Sequence, residues 1–218
     1  MNFKTTNYKN YEKALPQEGK HILAQQTEEH ILVYQAYRNS IAEYAIKNQV
    51  FGGNDYSYQR MSWIKPNFLW MMYRSGWAEK PGQERILGIW IKKTDFEKIL
   101  LNSTFTSYAQ TKGITESEWK NTLTTQPVRL QWDPDHLPNG EKHTRKAIQL
   151  GIKGELLDEF GKQMIEEIVD FTSFVQNQRK SLYTSSYDEL KVAHETVYIP
   201  SMKGLSEKIG IDIYENTF

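Results

Sequence analysis

The stretch "RILGIWIKK", residues 85–93, constrains the fold of this 218-residue chain more than any other feature. On an extended backbone Ile86, Gly88 and Trp90 lie on one face, and the residues between them place apolar side chains on the other. A strand that is apolar on both faces has to be covered on both, as central strands are. A second strand is predicted at "HILVYQAY", residues 30–37, from its alternation and β-rich composition.

Helix signals follow both strands. Ser40 with Glu43 three residues later has the spacing of a capping box, and the same spacing recurs from Thr94. Residues 66–76 begin with Pro and end with Gly, which is typical of a helix with defined ends. From Glu155 to about Lys180, apolar residues recur at helical intervals, which predicts a long amphipathic helix.

The mixture of strands and helices lacks the regular alternation of parallel α/β folds. We therefore expect an α+β fold in which residues 30–218 form a single domain around a mixed central sheet. Residues 1–29 are polar and predict a loosely attached N-terminal arm.

Charge and cysteine content exclude several classes of function. Lysine plus arginine equals aspartate plus glutamate at 27 each, so no net field attracts polyanions over long range. The absence of cysteine excludes disulfides, zinc–thiolate sites and thiol nucleophiles. The five histidines lack the spacing of metal ligands on a helix, and we predict no metal site. Without a signal peptide or an apolar run of spanning length, a soluble cytoplasmic protein with no membrane contact is expected.

The stretch "RMSWIKPNFLWMMYRSGWAEKPGQE", residues 60–84, holds three of the chain's six tryptophans among basic side chains. Burying Arg60, Lys65 or Arg74 is costly without an anionic partner. We expect the middle of the stretch to be a core helix and its two ends to line a pocket for a flat, anionic ligand. A single-stranded nucleic acid is the alternative ligand, since bases stack on aromatic rings while phosphates contact cations such as Arg85.

Several long segments identify the chain as a member of a microbial family, domain of unknown function 4291. They are "VYQAYRNSIAEYA", "RMSWIKPNFLWMMYRSGW", "KPGQERIL", "VRLQWDPDH" and "RKAIQLGI". The resemblance covers nearly the whole chain but implies no activity.

Two segments, "VYQAYRNSIAEYAIKNQVFGG" and "HETVYIP", resemble the ADP-ribosyltransferase-like superfamily. Its members share a split α+β fold and a three-part motif of Arg or His, a hydroxyl residue, and Glu on separate strands. The matching residues here are Arg38, Ser62 and Glu195, although "Met-Ser-Trp" keeps one hydroxyl of the common Ser-Thr-Ser. The resemblance implies an enzyme that cleaves the nicotinamide–ribose bond of NAD and transfers ADP-ribose to a protein or nucleic-acid acceptor.

The resemblance also implies a role for each residue. Glu195 would stabilise the oxocarbenium-like state, Arg38 would hold the pyrophosphate or ribose, and Ser62 would orient the carboxylate. The expected ligand-binding residues, including rings that could stack on nicotinamide, are Tyr37, Arg60, Trp63, Lys65, Tyr73, Arg74 and Trp77. Ordinary roles stay open: a surface ion pair for Arg38, a helix cap for Ser62, and a solvated strand start for Glu195.

Overall fold

The computed structural model describes residues 1–183 and 187–212, which form a single α+β domain. Its strands are β1 (Thr5–Asn7), β2 (Ile22–Ala24), β3 (His30–Tyr37), β4 (Ser62–Ile64), β5 (Arg85–Lys92), β6 (Ser103–Phe105), β7 (Val128–His136), β8 (Lys142–Ile152), β9 (Ile165–Asp170), β10 (Lys191–Ala193) and β11 (Thr196–Tyr198). Its α-helices are α1 (Tyr8–Ala14), α2 (Asn39–Asn48), α3 (Phe68–Ser75), α4 (Lys93–Leu101), α5 (Glu116–Thr125), α6 (Glu155–Glu159), α7 (Thr172–Arg179) and α8 (Leu205–Ile209).

The two strongest predicted strands lie side by side. β3 and β5 pair antiparallel over their whole lengths, from His30 opposite Lys92 to Tyr37 opposite Arg85. β9 adds to the other edge of β5, so β5 is the central strand of the three, as its sequence predicts. Gly88 lets the ring of Phe171 lie directly on this sheet, since a Cβ at Gly88 would approach that ring to 2.0 Å.

A second sheet has the order β4-β8-β7-β6. β7 and β8 form an antiparallel hairpin, β6 pairs parallel with β7, and β4 pairs antiparallel with β8 from Ser62 opposite Ile152 to Ile64 opposite Leu150. The two sheets meet at one isolated bridge between Tyr34 of β3 and Lys65, the residue after β4.

β3 separates two hydrophobic cores. Ile31 and Val33 face the core shared with the second sheet, α4 and α6, whereas Leu32 and Tyr34 face the core shared with α1, α3 and α7. This double burial explains why residues 31–34 are all apolar or aromatic.

The predicted helices after β3 and β5 are present, but their predicted caps are wrong. The N-cap residues are Arg38 for α2 and Lys92 for α4, and neither makes a side-chain capping bond. Ser40 instead donates its hydroxyl to Asp55. α3 ends at Gly76 as predicted, with the left-handed backbone that glycine favours.

The N-terminal segment differs from the loose arm that its polarity predicts. β1 pairs with β10, β2 pairs with β11, and α1 buries Tyr8 and Tyr11. Glu12 of α1 also accepts hydrogen bonds from Arg145, a fully buried arginine of β8. A few aromatic and charged anchors suffice to attach a segment whose average composition is polar.

The predicted long helix at Glu155–Lys180 is wrong. The segment forms α6, a π-helical turn at Phe160–Met164, then β9 and α7. Its β-branched residues 165, 168 and 169 also suit a strand, and the open edge of β5 supplies the hydrogen-bonding partner. Tertiary pairing therefore overrides the helical spacing.

None of the helices in the described part of the chain has the length and apolar character needed to cross a membrane.

Candidate anion-binding site

β3 and β4 separate immediately after the bridge that joins them. The bridge consists of two backbone hydrogen bonds, Tyr34 N to Lys65 O at 2.7 Å and Lys65 N to Tyr34 O at 3.2 Å. Side chains then span the gap: Gln35 Nε2 donates to Ser62 Oγ at 2.7 Å and to the Trp63 carbonyl at 3.1 Å. The Tyr37 hydroxyl lies 2.9 Å from Ser62 Oγ. Specific polar contacts between side chains therefore connect the two strands across the gap.

Two adjoining cavities occupy this gap, and together we call them the β3–β4 cleft. The first, of about 450 Å³, is lined by Gln35, Ala36, Tyr37, Met61, Ser62, Trp63, Lys65, Met71, Arg74, Gln83 and Gln149. The second, of about 300 Å³, is lined by Tyr37, Arg38, Ile41, Asp55, Tyr56, Ser57, Arg60, Met61, Ser62 and Gly82. Three shared residues, Tyr37, Met61 and Ser62, separate the two.

The arginines of the cleft differ from the other arginines of the chain. Of the seven in the sequence, Arg85, Arg145 and Arg179 pair with carboxylates, and Arg129 donates to backbone carbonyls. The remaining three form no ion pair within residues 1–183 and 187–212, and all three line the cleft. They are Arg38, Arg60 and Arg74.

Lys65 adds a buried amine to the same cleft. Its side chain is 4% exposed, and it forms no hydrogen bond or ion pair with the described residues. Burial lowers the pKa of Lys65 to about 7, assisted by the charge of Arg74 and opposed by that of Asp133. The Nζ atom lies 5.9 Å from the centre of the Trp70 ring. A cation here is poorly compensated until an anion enters.

Gln35 supplies an unused acceptor. The Trp63 carbonyl can only accept, so it fixes the side-chain amide with Nε2 toward Trp63. In the described part of the chain the opposite atom, Oε1, is buried and has no hydrogen-bond partner. Because a buried acceptor is costly to leave unpaired, a ligand N–H or O–H group would be favoured there.

Family comparison gives one decisive result. The model of the family described as domain of unknown function DUF4291 matches residues 21–198. The chain belongs to the DUF4291 family. The matched segment includes β3, β4 and every residue that lines the cleft. Comparison with curated proteins gives no match.

In this DUF4291 chain, seven of the ten site residues expected from the sequence line the cleft. Arg38 and Arg60 line the smaller cavity, while Trp63, Lys65 and Arg74 line the larger one. Tyr37 and Ser62 line both cavities. Ser62 does not cap α3, whose N-cap is Asn67.

Glu195 lies elsewhere, which contradicts the position that its expected catalytic role requires. The side chain is 3% exposed, and it lines neither cavity. Its carboxyl group accepts hydrogen bonds from the Tyr11 hydroxyl at 2.8 Å and the Phe68 backbone N–H at 2.6 Å. Burial raises the pKa of Glu195 well above its usual value, against the opposing effect of these bonds. Glu195 therefore attaches α1 to the start of α3.

Two expected aromatic contacts also lie outside the cleft. Trp77 is 6% exposed, and its indole N–H donates to the Pro138 carbonyl at 3.2 Å. Tyr73 stacks on His136, with ring centres 3.5 Å apart and an interplanar angle of 8°. Tyr73 is an exposed residue of α3, and Trp77 is buried just after the C-cap Gly76, so neither faces β4 as the sequence spacing suggests.

Two glutamines and two residues of the loop before β4 were missed. Gln35 is a polar residue within a buried apolar strand, and that mismatch was the available signal. Gln149 lines the larger cavity and donates to Asp133 at 2.6 Å. Asp55 and Tyr56 line the smaller cavity from a loop with no distinctive pattern. Within the described residues, no cluster of three or more His, Asp or Glu side chains could hold a metal ion.

Glu195→Gln and Glu195→Ala test the structural role of this carboxyl group. Gln keeps the shape and an acceptor for the Phe68 N–H, so we expect a loss of less than about 1 kcal/mol in unfolding free energy, whereas Ala leaves buried donors unpaired and costs about 1–3 kcal/mol for each. Because the folded-state pKa is raised, the stability contributed by Glu195 is complete below the unfolded pKa of about 4.3 and is lost as pH rises through the folded pKa.

Urea unfolding at about pH 5 and about pH 8 measures these differences. The Gln variant is predicted to gain stability relative to the unmodified chain between the two pH values. No relative change over that interval would show that Glu195 is already ionised in the folded state at about pH 5.

Proposed function

We propose that the β3–β4 cleft binds an anionic, nucleotide-type small molecule, with NAD as the candidate substrate. The observation that carries this proposal is the convergence on one cleft of the three arginines that lack a carboxylate partner. Arginine binds phosphate oxygens in pairs through its planar donors, and a phosphate would supply the missing countercharge.

The other walls of the cleft suit the remaining parts of a nucleotide. Trp63 presents an aromatic ring and packs closely over Gly151, where a Cβ would come within 2.8 Å of the indole. A base or nicotinamide ring would stack there. Gln35 Oε1 would accept a hydrogen bond from an amide or a ribose hydroxyl. The two cavities, about 450 and 300 Å³, are of the size that small ligands occupy.

The reaction we propose is cleavage of the nicotinamide–ribose bond, with transfer of ADP-ribose to a protein or nucleic-acid acceptor. Such a reaction needs a carboxylate beside the ribose to favour developing positive charge. Glu195 cannot fill this role from its buried position outside the cleft. Among the described residues that line the cleft, Asp55 is the one carboxylate, and the proposal gives it the role.

Single-stranded nucleic acid is less well supported as the ligand. Its binding needs a row of accessible rings beside a basic groove. Trp77 is in the core, and Tyr37 is bonded to Ser62 inside the cleft. Because these rings do not form one accessible row, the cleft suits a compact ligand better than a single-stranded nucleic acid.

Arg74→Gln tests the anion site. Loss of a charge-assisted bond to phosphate is worth about 1.5–3 kcal/mol, so the affinity for ADP-ribose should fall by about tenfold to a hundredfold. Isothermal titration calorimetry measures the affinity, with Arg179→Gln as the matched control because Arg179 pairs with Glu79 and does not line the cleft. Equal affinities in both variants, or no binding by the unmodified chain, would refute the proposal.

Nicotinamide release from NAD tests the reaction. With protein and oligonucleotide acceptors present, Asp55→Asn should reduce release by about a hundredfold or more, because the transition state loses its countercharge. Glu195→Gln should retain release, and it serves as the control. Release that survives in Asp55→Asn, or an unmodified chain that binds NAD without releasing nicotinamide, would exclude this chemistry while leaving the binding proposal intact.

A further inference from the structure

Lys65 is held in the cleft by its own backbone. Both of its main-chain polar groups bond to Tyr34, and Pro66 follows it directly. The side chain lines the larger cavity beside Arg74, although the residue as a whole is almost fully buried. The position of this amine is therefore set by the bridge between the two sheets.

The surroundings of Lys65 differ from those of a buried lysine with a structural role. A structural lysine is normally paired with a carboxylate. The carboxylate near enough to influence Lys65 is Asp133, but it accepts a hydrogen bond from Gln149 at 2.6 Å and forms no ion pair with Lys65. The amine therefore remains available to a molecule that enters the cavity.

A buried amine beside a second cation is a recognised nucleophile. Desolvation and a neighbouring positive charge both favour the neutral form, whose lone pair attacks carbonyl carbon. Lys65 has both features, and its pKa of about 7 leaves much of the amine unprotonated near neutral pH.

We propose that Lys65 is a nucleophile that forms an imine with the aldehyde or ketone carbon of an anionic substrate, whose carboxylate or phosphate binds Arg74. The inference rests on the proposed function in using the same anion site, but it requires neither NAD nor a nucleotide.

The step balances without a further reactant. The Nζ lone pair forms a bond to the carbonyl carbon, and the C=O π electrons move to oxygen, which takes up a proton from nitrogen to give a carbinolamine. The C–O bond then breaks, nitrogen loses its second proton, and water leaves. Amine plus carbonyl compound thus gives imine plus water, and the Ser62 hydroxyl and Gln149 amide line the same cavity as polar contacts for the departing oxygen.

Reductive trapping tests this proposal. The full chain is incubated at about pH 8 with glyoxylate, a small anionic aldehyde, or with propanal, and cyanoborohydride reduces any imine to a stable amine. Peptide mass spectrometry should show Lys65 labelled by glyoxylate about tenfold or more faster than Lys47, an exposed lysine on α2, because burial beside Arg74 lowers the pKa of Lys65 to about 7 and leaves most of its amine unprotonated at this pH. Arg74→Gln should slow labelling by glyoxylate much more than labelling by propanal, because glyoxylate loses its anion contact, whereas propanal is affected only through the charge of Arg74 that lowers the Lys65 pKa.

Lys65→Arg keeps the positive charge and should lose the label, whereas Lys47→Arg should keep the label on Lys65. Lys65 labelling no faster than Lys47 in the unmodified chain would overturn the proposal, whether or not the Lys65 variant folds. Calorimetry with ADP-ribose on the same protein preparation tests the nucleotide proposal separately from the imine proposal. Nucleotide binding without an imine overturns this inference alone, and an imine without nucleotide binding overturns the nucleotide proposal alone.

Discussion

The single β-bridge between Tyr34 and Lys65 determines the rest of the site. It joins the three-stranded and the four-stranded sheets at one point, and beyond that point β3 and β4 separate. Had pairing continued, Gln35 would face Ile64 and Tyr37 would face Ser62 with no space between the strands. Instead the side chains of Gln35 and Tyr37 span the separation, and the cleft opens between them. The same bridge places Lys65 at the inner end of the cleft.

The distribution of charge separates structural positions from the site. The fully buried guanidinium of Arg145 is compensated by Asp135 of β7, at 2.6 Å, and by Glu12, whose bonds connect the N-terminal segment to β8. The cleft, in contrast, gathers cations without such compensation. Lys65 is the buried cation of this group, so its charge is costly until an anion enters, whereas Arg38, Arg60 and Arg74 are exposed and remain solvated. Charge balance over the whole chain therefore coexists with a locally basic site.

Local patterns in the sequence were sufficient for the elements that also build the cleft. Alternation, double-faced hydrophobicity and the terminal Gly76 predict β3, β5 and α3, and the ends of β3 and α3 bring Arg38 and Arg74 to the cleft. The predictions for β9 and Glu195 are wrong because both depend on contacts between segments that are distant in sequence. β9 forms because the edge of β5 is available, and the buried carboxyl group of Glu195 accepts a hydrogen bond from Tyr11, which is far away in sequence. Neither the edge of β5 nor Tyr11 can be predicted as the partner from the sequence around β9 or Glu195 alone.

The most direct test of the central claim is a crystal structure of the chain with ADP-ribose. The ligand should lie in the β3–β4 cleft, with phosphate oxygens within hydrogen-bonding distance of Arg74, Arg38 or Arg60 and a ring against Trp63. Gln35 Oε1 should accept a hydrogen bond from the ligand. A ligand bound elsewhere on the surface, or an empty cleft at saturating concentration, would contradict the claim that these cations form an anion site.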